Sequence, residues 1–171
     1  VHGDRFETGD YTIGISHYTT DGPSGENAAE HFTSFFGTGG WDASERLRFE
    51  LTVFGLRGER ELRRIKAPGQ NVLRTRTEKF DPYTSVGSIL RLLYKHDDDS
   101  STSVEFGYVY RNNKYERRDP GKPIFVARER DWEYNAGVIH AHKLSDANTL
   151  RLGLQYNYWE CPDGKRDFVG N

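Results

Sequence analysis

Methionine is absent from this 171-residue chain, and cysteine occurs once, as Cys161. One cysteine cannot close an intrachain disulfide and supplies no metal-site spacing. Long apolar runs are also missing: no window approaches the roughly 18 consecutive apolar residues that a membrane-crossing helix needs. With mean hydropathy −0.83 and 29% charged residues, a helical membrane protein is excluded. There is little charge excess either. The net charge is −2 and the pI near 6.3, and in the basic stretch 60–66 Arg60 is flanked by Glu59 and Glu61, so no nucleic-acid partner is expected. Neither an initiator methionine nor a secretory leader precedes Val1-His2-Gly3, so the chain is expected to be a piece of a longer mature protein.

What the chain does have is alternation. Leu47, Phe49, Leu51 and Val53 interleave with Arg46, Arg48, Glu50 and Thr52, so one face is apolar and the other charged. A period of two residues means strand. The same reading holds for Val104, Phe106, Tyr108 and Tyr110, and again for Leu150, Leu152, Leu154, Tyr156 and Tyr158. Before them, Val86, Ser88, Leu90, Leu92 and Tyr94 form one partner strand, and Trp132, Tyr134, Ala136 and Val138 form another. Between these runs stand tight polar turns at 42–45, 96–100 and 144–148, and at the opposite end stand long charged loops. Short turns at one end and long loops at the other describe an outer-membrane β-barrel, in which only every second strand residue faces lipid. Its loops can be as charged as any soluble surface.

The expected fold is therefore all-β, an antiparallel up-and-down transmembrane barrel with about seven strands, near 10–18, 31–41, 46–60, 83–95, 102–111, 131–143 and 149–159. The second is weakened by Gly37, Gly39 and Gly40, which mark a bulge or a close approach. Glu7-Thr8-Gly9-Asp10 is a candidate for a further tight turn. Bacterial single-chain barrels use an even number of strands, at least about eight. Either a weak N-terminal strand completes a small barrel, or the chain is one wall of a larger one; the run from Cys161 to Lys165, which opens a loop with no returning strand, favours the second. Tyr94, Tyr108, Tyr110, Trp132, Tyr134, Tyr156 and Tyr158 fall near strand ends, where aromatic girdles are expected.

Several stretches carry a family likeness. The run from Asp10 to Gly22, then Asn27-Ala28-Ala29, Gly40-Trp41-Asp42 and Arg46-Leu47-Arg48-Phe49-Glu50-Leu51, resembles the early barrel strands of TonB-dependent outer-membrane receptors. Gly58 to Leu62, Phe80-Asp81-Pro82-Tyr83, and His142 to Asp146 leading into Thr149 to Leu154 extend the likeness over nearly the whole chain. The resemblance implies a segment of a 22-stranded barrel in the outer membrane of a Gram-negative bacterium, surrounded by lipid and lipopolysaccharide. It also implies active import of a scarce nutrient of the siderophore, cobalamin or glycan class. Neither a plug domain nor a TonB box is recognisable here, so coupling to the TonB complex would run through N-terminal parts outside this sequence.

Candidate ligand contacts lie on the polar strand faces and in the outer loops: Arg48, Glu50, Arg111, Tyr115, Arg151 and Gln155. Opposed charges such as Glu50, Glu105 and Glu133 against Arg46, Arg48, Arg91, Arg111 and Arg151 can also form ladders that stiffen an inner wall. The loops run at about 19–30, 63–81, 112–130 and beyond Trp159, with Phe80, Tyr115 and Phe125 as aromatic contacts. His140 and His142 share a strand face and could ligate zinc, yet a third ligand is not evident and they continue the lipid-facing series, so they are read as interfacial. Asp97-Asp98-Asp99 lacks the spaced ligands of a calcium loop. Neither a metal nor another cofactor is expected, and no convergent acid-base or nucleophile group indicates an enzyme. Rival readings are a passive porin-like barrel and a soluble lipocalin-like barrel with its apolar face inward.

Overall fold

The computed structural model describes residues 1–24, 28–62, 76–162 and 164–169. Among them the alternating runs become nine strands: β1 (His2–Phe6), β2 (Gly9–Thr20), β3 (Glu30–Asp42), β4 (Leu47–Leu62), β5 (Thr77–Lys95), β6 (Ser100–Arg118), β7 (Ile124–Ser145), β8 (Asn148–Glu160) and β9 (Lys165–Val169). All pair antiparallel in one up-and-down sheet, in chain order from β1 to β8. The ninth strand pairs with the outer half of β7, Ile124 to Arg128, while β8 pairs with its inner half.

The count exceeds the seven expected from alternation because β1 and β9 are five-residue strands, too short to show a period. The turn at Glu7-Thr8 does form, between β1 and β2. Three strands are also longer than alternation indicated, β5 and β6 reaching 19 residues and β7 reaching 22. The segment 112–130, read as a loop, is instead mostly hairpin, with Asn113↔Glu129, Tyr115↔Ala127 and Arg117↔Phe125 paired across β6 and β7. Alternation is invisible there because charged residues stand on both faces at that level, Lys114, Glu116 and Arg128 on one and Arg117 and Glu129 on the other. Phe80 and Asp81 likewise belong to β5 rather than to a loop. The loop expected at 63–81 falls largely outside the described residues, as do positions 25–27 of the first loop and 163 of the last.

Register assigns every side chain to a face, since directly opposed residues point the same way. One face carries Ile13 and Ile15, Phe35 and Trp41, Phe49 and Leu51, Leu90 and Leu92, Val104 and Phe106, Ala136 and Val138, and Leu152 and Leu154. All seven girdle aromatics expected from sequence lie on it. Tyr94 stands toward the tight turns, while Tyr108, Tyr134 and Tyr158 stand in one row toward the loops, with ring centroids 5.2 and 6.3 Å apart. From Leu150 to Tyr158 is about 26 Å along a strand, or about 20 Å of height at barrel tilt, near the apolar band of about 25 Å in outer-membrane barrels.

Among the described residues nothing covers this face. Ile15 is 76%, Leu152 62% and Leu154 79% exposed, and Val126 alone is a buried apolar side chain among the described residues. The sheet is not closed: β1 and β8 are not paired to each other, and a free row of backbone groups remains along β8. Such edges are liabilities that a finished fold covers or pairs.

Candidate functional site

All six sequence-selected residues, Arg48, Glu50, Arg111, Tyr115, Arg151 and Gln155, lie on the opposite, polar face. The structure does not gather them into one point. It distributes them over three levels, from the tight turns to the loops.

Near the turns, a charge ladder crosses the sheet. Arg48 on β4 donates to Asp10 of β2 at 2.6 Å, to Asp42 of β3 at 3.1 Å and to Glu50 on its own strand at 3.0 Å. Glu50 then meets Arg91 of β5 at 3.4 Å, and Arg91 reaches Glu105 of β6 at 2.8 Å. The ladder expected from opposed charges thus runs across five strands. Arg151 on β8 lies beyond it, beside the acidic turn Asp97 to Asp99.

At mid-height the polar face holds a recess of about 600 Å³, lined among others by Glu50, Arg91, Glu105, Asn135, Ile139 and Gln155. Its floor is low because Gly137 and Gly153 stand on adjacent strands, β7 and β8. At Gly107 the Asn135 side chain occupies the room that a Cβ would take. Gln155, which lines the recess, donates to Asn157 at 3.3 Å.

Toward the loops stands a second charge group, in which Arg111 reaches Asp131 at 2.8 Å and Glu133 at 2.7 Å. The indole of Trp159 also donates to Asp131, at 3.3 Å. Above it runs a row of aromatic rings. Phe32 meets Tyr83 at 6.1 Å, Tyr83 meets Phe80 at 6.2 Å, Phe80 meets Tyr115 at 5.5 Å, Tyr115 meets Phe125 at 6.2 Å, and Phe125 meets Phe168 at 5.4 Å. Six rings from β3, β5, β6, β7 and β9 form one platform, with the Arg117 guanidinium 5.0 Å from the Phe125 centroid. Edge and tilted contacts of this kind are favourable beyond their area.

Phe80, Tyr115 and Phe125, chosen as scattered loop aromatics, are therefore neighbours. Phe32, Tyr83 and Phe168 escaped the sequence reading. Tyr83 sits where the β4 and β5 registers shift, with Pro82 unable to donate to the ladder, so parity counted along the chain does not predict its facing. The Tyr115 hydroxyl donates to Glu78 at 2.7 Å. Burial first, and that carboxylate second, push the phenol up to about 12.

His140 is on the apolar face, as its register implied, and its Nδ1 lies 3.0 Å from the Thr102 hydroxyl. The same hydroxyl lies 2.8 Å from His96 Nε2, so the threonine links two imidazoles whose centroids are 5.7 Å apart. Among the described residues no group of three His, Cys, Asp or Glu is placed to hold a metal ion. Comparisons with protein-family models, curated proteins and solved structures return no match.

Proposed function

We propose that this chain is a wall segment of an outer-membrane β-barrel receptor for nutrient uptake. Its apolar face meets lipid, its polar face lines the interior, and its long strands and loops point outward. The observation that carries this reading is the division of one uncovered sheet into two unlike faces: a continuous apolar band with an aromatic row toward the loops, backed by a polar face with a recess of about 600 Å³. A soluble lipocalin-like barrel requires the reverse, with apolar residues around the cavity. Both unpaired edges would be completed by further strands of a larger barrel, since lipid cannot satisfy a bare sheet edge.

The active, TonB-coupled form of uptake rests on the family resemblance of the strand sequences. In that form a plug would occupy the interior and contact the ladder of Arg48, Glu50, Arg91 and Glu105, and the incoming ligand would first meet the aromatic row and Arg117. A row of rings bordered by charged groups suits a ligand with apolar faces and polar edges. The test is fractionation of the full-length protein expressed in a Gram-negative host. Recovery in the outer-membrane fraction, released by detergent and not by alkaline carbonate, is the expected result. Recovery in the soluble fraction would overturn the reading.

A further inference from the structure

The aromatic row on the polar face is interrupted at one position. Ala127 of β7 lies directly opposite Tyr115 of β6 on one side and Arg166 of β9 on the other. Phe125 and Glu129 stand two residues away along β7, on the same face. The short side chain leaves a gap walled by two rings, a guanidinium and a carboxylate. One step outward, Phe125 is paired with Arg117 and with Phe168, which is 71% exposed. Most cations at this end of the face already have partners. Arg60 meets Glu30 at 2.8 Å, Arg76 meets Asp119 at 2.7 Å, and Arg111 meets Asp131 and Glu133 at 2.8 and 2.7 Å. Arg117 meets Asp119 at 3.2 Å. Among the described residues Glu129 and Arg166 form no ion pair, and both are exposed. One charge of each sign is therefore left to a ligand.

This arrangement discriminates between nutrient classes. A multiply anionic metal chelate needs a surplus of unpaired cations, because each charge taken from water must be compensated; the gap offers one guanidinium with a carboxylate beside it. A broad planar macrocycle needs a flat floor. Neighbouring rings of the row are instead inclined to one another by 54–86°, so no single plane can stack on several of them. A chain of small rings joined by rotatable bonds meets both conditions, since each unit can take its own tilt. The C–H groups on a pyranose face carry a small positive charge that suits the negative face of an aromatic ring. Sugar hydroxyls donate to a carboxylate and accept from a guanidinium without adding a charge of their own. We propose that the row binds a neutral oligosaccharide lying across the strands, with one sugar unit seated over Ala127 between Tyr115 and Phe125 and its hydroxyls held by Glu129 and Arg166. The inference rests on the receptor reading above and narrows its ligand to one class.

The experiment uses the full-length protein extracted from outer membranes in detergent. Binding is measured to neutral hexasaccharides of glucose, mannose, galactose and xylose, to a ferric catecholate chelate and to cyanocobalamin. At least one neutral hexasaccharide is expected to bind, about tenfold more tightly than its own disaccharide, as additional ring contacts imply. F125A should weaken that binding about tenfold, and E129A/R166A about as much. If F125A fails to assemble, F168A, which removes an exposed ring of β9, decides. Absence of binding to every neutral hexasaccharide, or an affinity unchanged in these variants, would overturn the proposal. So would tight binding of the ferric chelate or of cyanocobalamin that the same variants abolish, and the receptor reading would then stand with another ligand class. Failure of the protein to reach the outer membrane would instead defeat the receptor reading itself, so the two failures are distinguishable.

Discussion

The guanidinium of Arg48 lies across Gly40 on the neighbouring strand, in the space that any side chain at position 40 would fill. From there it reaches Asp10, Asp42 and Glu50 together. Gly40→Ala would drive Nη2 off Asp10 and disturb the Nη1 contact with Asp42 and the Nε contact with Glu50. We expect a loss of about 1 kcal/mol in the stability of the full-length protein, read as a lower unfolding midpoint.

Arg48→Leu removes the hub itself and leaves three carboxylates facing one another. Stability should fall by about 1–3 kcal/mol, with the lower end favoured where the pairs are wetted. If the ladder only stiffens the wall, the ligand affinity expected of the full-length protein on the proposed reading stays nearly unchanged. A large affinity loss at unchanged stability would assign Arg48 to the ligand instead.

Tyr115 lies well outside the apolar band, and its phenol is pushed up to about 12 by burial and by Glu78. A raised value means that the folded state holds this proton more tightly than the unfolded chain does. The resulting stability is complete below the ordinary tyrosine value of about 10 and is lost as pH climbs from there through about 12. Phenolate absorbance of the wild type minus that of Tyr115→Phe should titrate near the upper figure. Glu78→Gln should lower it only partly, because burial is the larger cause. Titration at the ordinary value would contradict the platform geometry.

Asp119, at the tip of the β6–β7 hairpin, has its carboxyl held low, first by the hydrogen bond from Arg76 at 2.7 Å. A depressed value contributes stability above the unfolded carboxyl value, lost as pH falls through the folded one. Acid should therefore loosen the hairpin tip. Hydrogen exchange at residues 116–118 should quicken as pH is lowered past the ordinary aspartate range, after correction for intrinsic rates, and Asp119→Asn should remove that dependence.

Much of this architecture was legible because alternation is strict wherever one face is apolar. The runs Leu47 to Val53 and Leu150 to Tyr158 could be assigned a face without coordinates, and so could Arg48, Glu50, Arg111, Arg151 and Gln155, whereas Tyr115 reads as a loop residue. Beyond the band the signal fades. Lys114, Tyr115, Glu116 and Arg117 alternate in space but not in polarity, so a hairpin reads as a loop. The aromatic row was only half visible, since its rings come from five strands and depend on a register shift near Pro82. The place of Phe168 beside Phe125 needed the pairing of β9 with β7, which no period in a five-residue strand can announce.

The central claim is that even-numbered positions of β8 face lipid and odd-numbered ones face an aqueous interior. Spin labels placed singly from Leu150 to Tyr158, in a Cys161→Ser background of the full-length protein in membranes, measure this directly. Collisions with dissolved oxygen should peak at Leu150, Leu152, Leu154 and Tyr156, and collisions with a water-soluble nickel chelate should peak at Arg151, Gly153, Gln155 and Asn157. The opposite phase, or even positions shielded from both reagents, would contradict the account.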